Sequence, residues 1–513
     1  MLRCVQHDMT ALLLRYCIIW LVEGRTMQRF SRIVARNSAA GMATQAIIKL
    51  LSFGFSVLIV RRLGAAEFGQ YAAVLAYGAL FVFIADLGLS PYTVREVARL
   101  RDATDGEARI QALYGNVLAL RFLLSLLAAA MLIGSAWLTG RPLVMVVAIA
   151  LGTVGLIMYS AQGVFESMLS GYERVDLASG SRIIYQVVFV LVGGLALWKG
   201  LGYYGLIGAN LLGIALLTYT CLRAARTLGI RPAAPSLRDW PHLLRASLPF
   251  GVISFTLGLS YKFDSVLLNI FHGDVATGYY NAAYNLVFST VILSNIINTA
   301  LYPSLTRQAV TAPESLALIY ARALRYLLAL ALPISVGVTA LAPQIVAFLF
   351  GSDYTPAIPA LRIVIWVVPL MFLSEFLGYI VVVAGREGRV ARAIMVSTGV
   401  NIALNSVLVP RFGVIAAATM TVTTEAVLVS QYLWLLRHEL SHISWGRSLG
   451  RPVAAAALMG LLVAGVAWLP VLVSVALGML AYAGLCVALG VIGPDEWNFV
   501  RRLRQPLTQG STG

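Results

Sequence analysis

The stretch Gly64-Ala65-Ala66-Glu67-Phe68-Gly69-Gln70-Tyr71-Ala72-Ala73 returns 209 residues later as Gly273-Asp274-Val275-Ala276-Thr277-Gly278-Tyr279-Tyr280-Asn281-Ala282. Gly64, Gly69, Tyr71 and Ala73 fall on Gly273, Gly278, Tyr280 and Ala282, and each copy ends one apolar segment and opens the next. Further along, a slide of 208 places the turn Tyr204-Gly205-Leu206-Ile207 on Phe412-Gly413-Val414-Ile415. A repeat of this length means one architecture used twice in a single chain.

The surrounding composition says what that architecture is made of. Of 513 residues, 59% are hydrophobic and 12% charged, against roughly 25% charged in a soluble domain. Apolar runs long enough to cross a hydrocarbon core of about 30 Å recur from end to end. They predict spans at 38–60, 70–90, 112–138, 143–168, 183–198 and 201–222, then at 248–271, 279–302, 324–350, 361–384, 393–409 and 413–436. A final pair at 452–469 and 471–492 is divided only by Trp468-Leu469-Pro470. The expectation is an all-α polytopic membrane protein of about fourteen spans. It consists of a segment 1–37, a six-span lobe 38–222, a linker 223–247, a second lobe 248–436, a loop 437–451, the helix pair 452–492 and a tail 493–513. Six is even, so both copies run through the membrane in the same direction. They are expected to be related by a pseudo-twofold axis along its normal, with a substrate site between them.

Charge placement orients the chain. With the N-terminus inside, 29 of the 38 Lys and Arg residues fall on the cytoplasmic side. Only Arg61, Arg62, Arg141, Lys199, Arg362 and Arg411 fall outside, which puts both termini in the cytoplasm. The net charge of +16 is thereby explained by topology, and no nucleic-acid partner is implied. Residues 11–22 are apolar but interrupted by Arg15 and lack a small-residue cleavage site, so they predict neither a signal peptide nor a span, and Met27 is a candidate start. Cys4, Cys17, Cys221 and Cys486 show no framework spacing, and His7, His242, His272, His438 and His442 lie at termini or in loops. No disulfide framework, metal site or other cofactor is expected.

The motif order resembles that of the bacterial oligosaccharide flippases of the multidrug, oligosaccharidyl-lipid and polysaccharide exporter superfamily. The resemblance runs over nearly the whole chain from Arg36. It rests on Val60-Arg61-Arg62-Leu63-Gly64 through Tyr71, on Asp86-Leu87-Gly88-Leu89-Ser90 with Arg95-Glu96, and on Gly278 through Tyr284. Leu349-Phe350-Gly351-Ser352-Asp353-Tyr354, Asn401-Ile402-Ala403-Leu404-Asn405 and Pro410-Arg411-Phe412-Gly413 complete it. It implies a protein of the bacterial inner membrane with a central cavity between two lobes. By alternating access this would carry a polyprenyl-diphosphate-linked oligosaccharide from the cytoplasmic to the periplasmic leaflet for O-antigen, capsule or exopolysaccharide synthesis. Membrane lipids and the polymerase machinery are the implied partners. An ion-coupled drug exporter and a peptidoglycan-precursor flippase of the same superfamily are the alternatives, the latter expected to carry more cavity arginines than this chain has.

Intramembrane charge costs about 2.5 to 3.5 kcal/mol at a helix centre, so each such residue needs a partner, water or a function. The candidate substrate-binding cations are Lys49, Lys262 and Arg121. Under the repeat Lys262 falls on Phe53, one turn from Lys49, so the two lysines share a face of equivalent helices. Arg121 sits inward of its helix centre, where it can snorkel to the interface. The opposing reading pairs these cations with Asp264, Glu375 or Glu425, which are also the candidate ion-coupling carboxylates. Gln45, Asn116, Asn295, Asn298, Asn401 and Asn405 offer hydrogen bonds to sugars or between helices. Pro249, Gly251 and Gly258 make the seventh span a candidate for bending. His438-Glu439-Leu440-Ser441-His442 matches a zinc-protease pattern without a third ligand, and Gly200-Leu201-Gly202-Tyr203-Tyr204-Gly205 matches a dinucleotide pattern without a preceding strand, so neither is read as a site.

Overall fold

The structure, a computed structural model, describes residues 47–138, 140, 142–291, 293–294, 297–298, 316–441 and 445–491. Gln45, Asn295, His442, Cys4, Cys17, the candidate start at Met27 and the tail 493–513 lie outside the described residues. Of the described residues, 47–51 belong to one compact unit and those from 52 onward to another.

The described residues are helices joined by short turns, with no strand among them. In the first half they are α1 (Ile47–Asp86), α2 (Leu89–Leu100), α3 (Gly106–Leu138), α4 (Leu143–Gly171), α5 (Val175–Trp198) and α6 (Gly202–Thr227). In the second half come α7 (Trp240–Thr290), α8 (Leu316–Leu349), a 3-10 turn (Ser352–Ala357), α9 (Ile358–Val364), α10 (Val367–Val383) and α11 (Glu387–Leu435). The last two are α12 (Trp445–Gly465) and α13 (Val471–Ala488). Nine of the described helices are long and apolar enough to cross a membrane, ten if the bent α7 is added.

The physical reason for a lower count than fourteen lies in three long helices. α1 has 40 residues, α7 has 51 and α11 has 49. At a rise of about 1.5 Å per residue each is roughly twice the hydrocarbon thickness. Each is broken by one glycine in the left-handed region: Gly64 (φ 71°), Gly273 (φ 78°) and Gly413 (φ 56°). A side chain resists that conformation and glycine does not, so the chain reverses there without leaving helical hydrogen bonding for long. Gly64 and Gly273 are the repeat pair, and they turn alike. Gly205 and Gly413 are aligned in sequence but differ in role. Gly205 is helical within α6, and the left-handed residues of the first copy are Gly200 and Gly202, because α5 stops at Trp198 before α6 starts.

Apolar side chains cover the outside of the bundle as well as filling its core. Phe122, Leu123, Leu126, Leu127 and Met131 on α3, and Leu472, Met479 and Leu480 on α13, are exposed, while Arg121, Asn116, Asp264, Asn401 and Asn405 are buried. With no water in the bilayer core, polar groups turn inward and helices satisfy their own backbones. The segment between α6 and α7 is fastened to α3: Ala233 N–H donates to the Gln111 carbonyl (2.9 Å), and Ser236 N–H (2.7 Å) and Trp240 Nε1 (3.2 Å) donate to Asn116 Oδ1. Asn116 is therefore a tether for the connection between the halves, not a free sugar ligand. Pro241 sits in the first turn of α7, where its missing N–H costs nothing.

Candidate functional site

The two halves meet at the turns that define the repeat. A Cβ built on Gly69 would overlap the backbone carbonyl of Asp274, and one built on Gly278 would overlap that of Ala65. Under the 209-residue slide Gly69 corresponds to Gly278 and Ala65 to Asp274, so the contact is reciprocal: the same pair of positions is used from each side. Tyr354 adds a bond across the same end, its hydroxyl donating to the buried Val60 carbonyl (3.1 Å). At the opposite end Gly88 and Gly251 pack backbone to backbone. α7 is bent by 45° between Thr256 and Gly258, and the Phe83 ring occupies the space a side chain on Gly258 would need.

Between these closures α7 carries Lys262. The residue is half-buried, and its Nζ lies 5.6 Å from the centre of the Tyr284 ring, which stacks on Phe288 (3.9 Å). Among the described residues Lys262 makes no ion pair. Two of the carboxylates proposed as its partners, Asp264 and Glu425, accept from neutral donors instead. Asp264, 2% exposed, accepts from the Tyr280 hydroxyl, from Ser265 N–H (2.7 Å) and from Thr421 Oγ1 (3.3 Å). Glu425 accepts from Ser374 Oγ, and Glu375 accepts from Asn298 Nδ2 (3.2 Å). The sequence spacing of two residues between Lys262 and Asp264 anticipates this separation, since such positions face apart on a helix.

Nearby on α11, Asn401 Nδ2 donates to Thr424 Oγ1 (2.9 Å), leaving Asn401 Oδ1 and both amide atoms of Asn405 buried without a partner among the described residues. The second half thus gathers three carboxylates and two buried amides among hydroxyls, and at Asp264 and Glu425 a proton or a small cation meets only neutral partners. Tyr280 and Thr421 are the functional residues that sequence reading missed. Tyr280 is visible in the repeat, but nothing in one dimension ties it to Asp264.

The remaining candidates separate. Lys49 is exposed and belongs to the first of the two units. Arg121 does not snorkel: it is 2% exposed, ion-paired to Asp86 (3.0 Å), and donates to Ser90 Oγ (2.6 Å) and Ser160 Oγ (3.4 Å). Its guanidinium occupies the space that a side chain on Gly163 of α4 would need. It ties α3 to the start of α2 and to α4, and it lines a polar cavity of about 380 Å³ with Glu166, Arg182 and Ser254. In the protease-like motif Glu439 is paired with Arg386 (2.9 Å).

A helical bundle of two repeated halves, closed on itself at both ends around charged residues in its interior, is the build of a polytopic membrane protein of transporter fold. Over residues 34–308, more than half its length, the chain matches the family described as Polysaccharide biosynthesis protein, and it belongs to that family. It is 24% identical over 287 residues to the probable low-salt glycan biosynthesis flippase Agl15 of Haloferax volcanii. That match covers 54% of this chain and 60% of the relative, so it spans less than two thirds of the relative's length. Among solved structures, the lipid II flippase MurJ in an inward closed conformation aligns with a TM-score of 0.74 at 12% identity, over 91% of this chain and all of MurJ. An inward-facing multidrug resistance MATE transporter of the MOP superfamily aligns with a TM-score of 0.58 at 15% identity, over 77% of this chain and 94% of its own. These likenesses show a shared fold.

Proposed function

We propose that the protein is a flippase of the bacterial inner membrane that carries a polyprenyl-diphosphate-linked oligosaccharide from the cytoplasmic to the periplasmic leaflet by alternating access. The carrying observation is the reciprocal Gly69–Asp274 and Gly278–Ala65 contact, a seal that two equivalent lobes make and break by rocking. The positive-inside bias assigns that end to the periplasm and the end bearing α2 to the cytoplasm.

In this reading Lys262 is a cavity cation. Held over an aromatic ring rather than a carboxylate, its ammonium keeps its charge available to a diphosphate and lets go of it again. Lys49 is its counterpart from the repeat, and Arg121 supports the lobe rather than the substrate. An apolar groove of about 410 Å³ between α8 and the pair α12–α13, lined by Pro333, Gly337, Leu341, Met459, Val463 and Met479, has the chemistry of a polyprenyl tail. Asp264, Glu375 and Glu425 provide the ion coupling. Membrane lipids surround the bundle, and the polymerase machinery removes the product.

The test is the leaflet location of lipid-linked oligosaccharide in cells lacking the gene, restored separately with wild type and with the Lys49→Ala, Lys262→Ala double variant, each verified as inserted. Intermediate trapped on the cytoplasmic side and cleared only by wild type is expected. Clearance by both refutes the lysine site. Trapped peptidoglycan precursor instead of oligosaccharide moves the substrate to the MurJ-like alternative, and no trapped lipid of either kind moves it to drug export.

A further inference from the structure

We propose that the basin between α2, α3 and the first turns of α7 is a binding site for a phosphate group of a membrane-surface ligand. Its volume is about 700 Å³, enough for a phosphodiester or diphosphate with its substituents. Arg95 and Arg99 reach it from α2, Arg109 from α3 and His242 from α7. The spacing of four puts Arg95 and Arg99 on one face of α2, 58% and 63% exposed, while Leu89, Tyr92, Val97 and Leu100 face the protein.

The forks are positioned before any ligand arrives. Arg95 lies between the rings of Tyr92 (5.5 Å) and Phe250 (5.2 Å), and Glu96, 11% exposed, accepts from Arg95 (3.3 Å) and twice from Arg99 (2.7 and 3.1 Å). Glu96 is consumed in that task, which leaves the Arg95–Arg99 cluster with one positive charge in excess. Arg109 adds another, because its pairing with Asp105 is long (3.7 Å) and solvent-exposed on both sides, the kind of bridge that contributes little and yields readily. Asp239, the other acid on the wall, accepts from Asn116 Nδ2 (3.4 Å) and offsets one of these charges, so the lining keeps one positive charge in excess. Planar guanidinium forks match the oxygens of an oxyanion in pairs, which points three arginines to an anion rather than to a sugar, and at a membrane surface the abundant oxyanion is a lipid phosphate.

The phosphate has two sources, the diphosphate of a lipid-linked sugar or the headgroup of an anionic phospholipid. The site goes beyond the transport reading, and its test involves no transport. The full chain is placed in nanodiscs of zwitterionic lipid, as wild type, as the Arg99→Gln, Arg109→Gln double variant, and as Arg174→Gln, a single-charge control whose exposed pairing with Asp176 lies outside the basin. One arm titrates inorganic pyrophosphate by calorimetry. The other counts phosphatidylglycerol retained by the protein in native mass spectrometry.

Charge-assisted bonds contribute about 1.5–3 kcal/mol each, so losing two arginines lowers affinity about 100-fold or more. Pyrophosphate binding by wild type and the control but not by the double variant supports the site with the diphosphate as source. Phosphatidylglycerol retention with the same dependence supports it with the headgroup as source. Equal binding by all three proteins, or binding of neither probe by wild type, overturns it. Unchanged thermal stability of the double variant keeps loss of fold apart from loss of site.

Discussion

Replacing Gly278 or Gly69 by leucine is expected to open the end of the bundle where the repeat turns meet. Each glycine faces a backbone carbonyl of the other half, Ala65 and Asp274, and a carbonyl in a helix turn cannot rotate aside as a side chain tip does. Overpacking of this kind costs typically about 1–3 kcal/mol. At about 1.4 kcal/mol per tenfold, the ratio of closed to open conformers at that end falls by about 5- to 150-fold. The cost is paid in the closed state alone, so it appears as a population shift rather than as unfolding.

In a background without native cysteines, spin labels at Arg62→Cys and Phe271→Cys, which are repeat equivalents beside the two turns, report the separation by double electron–electron resonance. Both Gly278→Leu and Gly69→Leu are expected to move the distribution to longer distances by the same amount, because the contact is reciprocal. Gly208→Ala, whose added methyl meets nothing within 4 Å, is expected to leave it unchanged. A distribution unaffected by both leucines, or moved by one and not the other, refutes the reciprocal seal.

Arg121→Met is expected to destabilise the protein by about 3–5 kcal/mol, since it strands Asp86 beside a cavity, and Asp86→Asn in the same chain is expected to recover part of that loss in a detergent thermal-shift assay. Lys262→Met removes only a ring contact, about 0.5–2 kcal/mol, so flipping is lost while the melting temperature moves little; a large stability loss would make Lys262 structural. Asn116→Ala leaves Ser236 N–H and Trp240 Nε1 without their acceptor, and hydrogen exchange of residues 233–239 is expected to quicken, whereas unchanged exchange refutes the tether.

The fold was legible because a membrane forces the polar and apolar patterns apart and because the repeat announces itself in four matched residues. The turn at Gly64 and Gly273 follows from that match. What one dimension hides is which neighbour a buried charge finds. Arg121 has Asp86 as its partner across 35 positions of chain, through a turn at Gly88 whose geometry brings α2 back over α3 and α4. From sequence alone Arg121 differs from the lysines only in lying inward of its helix centre; the partners are set by helix rotation, which places Arg121 against Asp86, Ser90 and Ser160 and Lys262 against Tyr284. Tyr280 is likewise an ordinary aromatic residue of the repeat until α11 brings Thr421 alongside it and Asp264.

The halves share an architecture and divide their chemistry, and under the proposed ion coupling that division predicts where the ion binds. In the first half Asp86 and Arg121 are spent on each other. A proton added to Asp86 would leave the buried Arg121 without its counter-charge, at about 3–5 kcal/mol. In the second half Asp264 and Glu425 are held by hydroxyls, groups that rotate or accept in turn, so a proton or cation arriving there strands nothing. Flipping in proteoliposomes under an imposed proton or sodium gradient is therefore expected to lose its gradient dependence in the Asp264→Asn, Glu425→Gln variant while retaining residual downhill activity. In a folded Asp86→Asn, Arg121→Met variant the dependence is expected to persist. Gradient dependence that survives the first pair of substitutions and vanishes with the second would move the coupling site to the half whose charges are already paired, and the argument from neutral partners would fail.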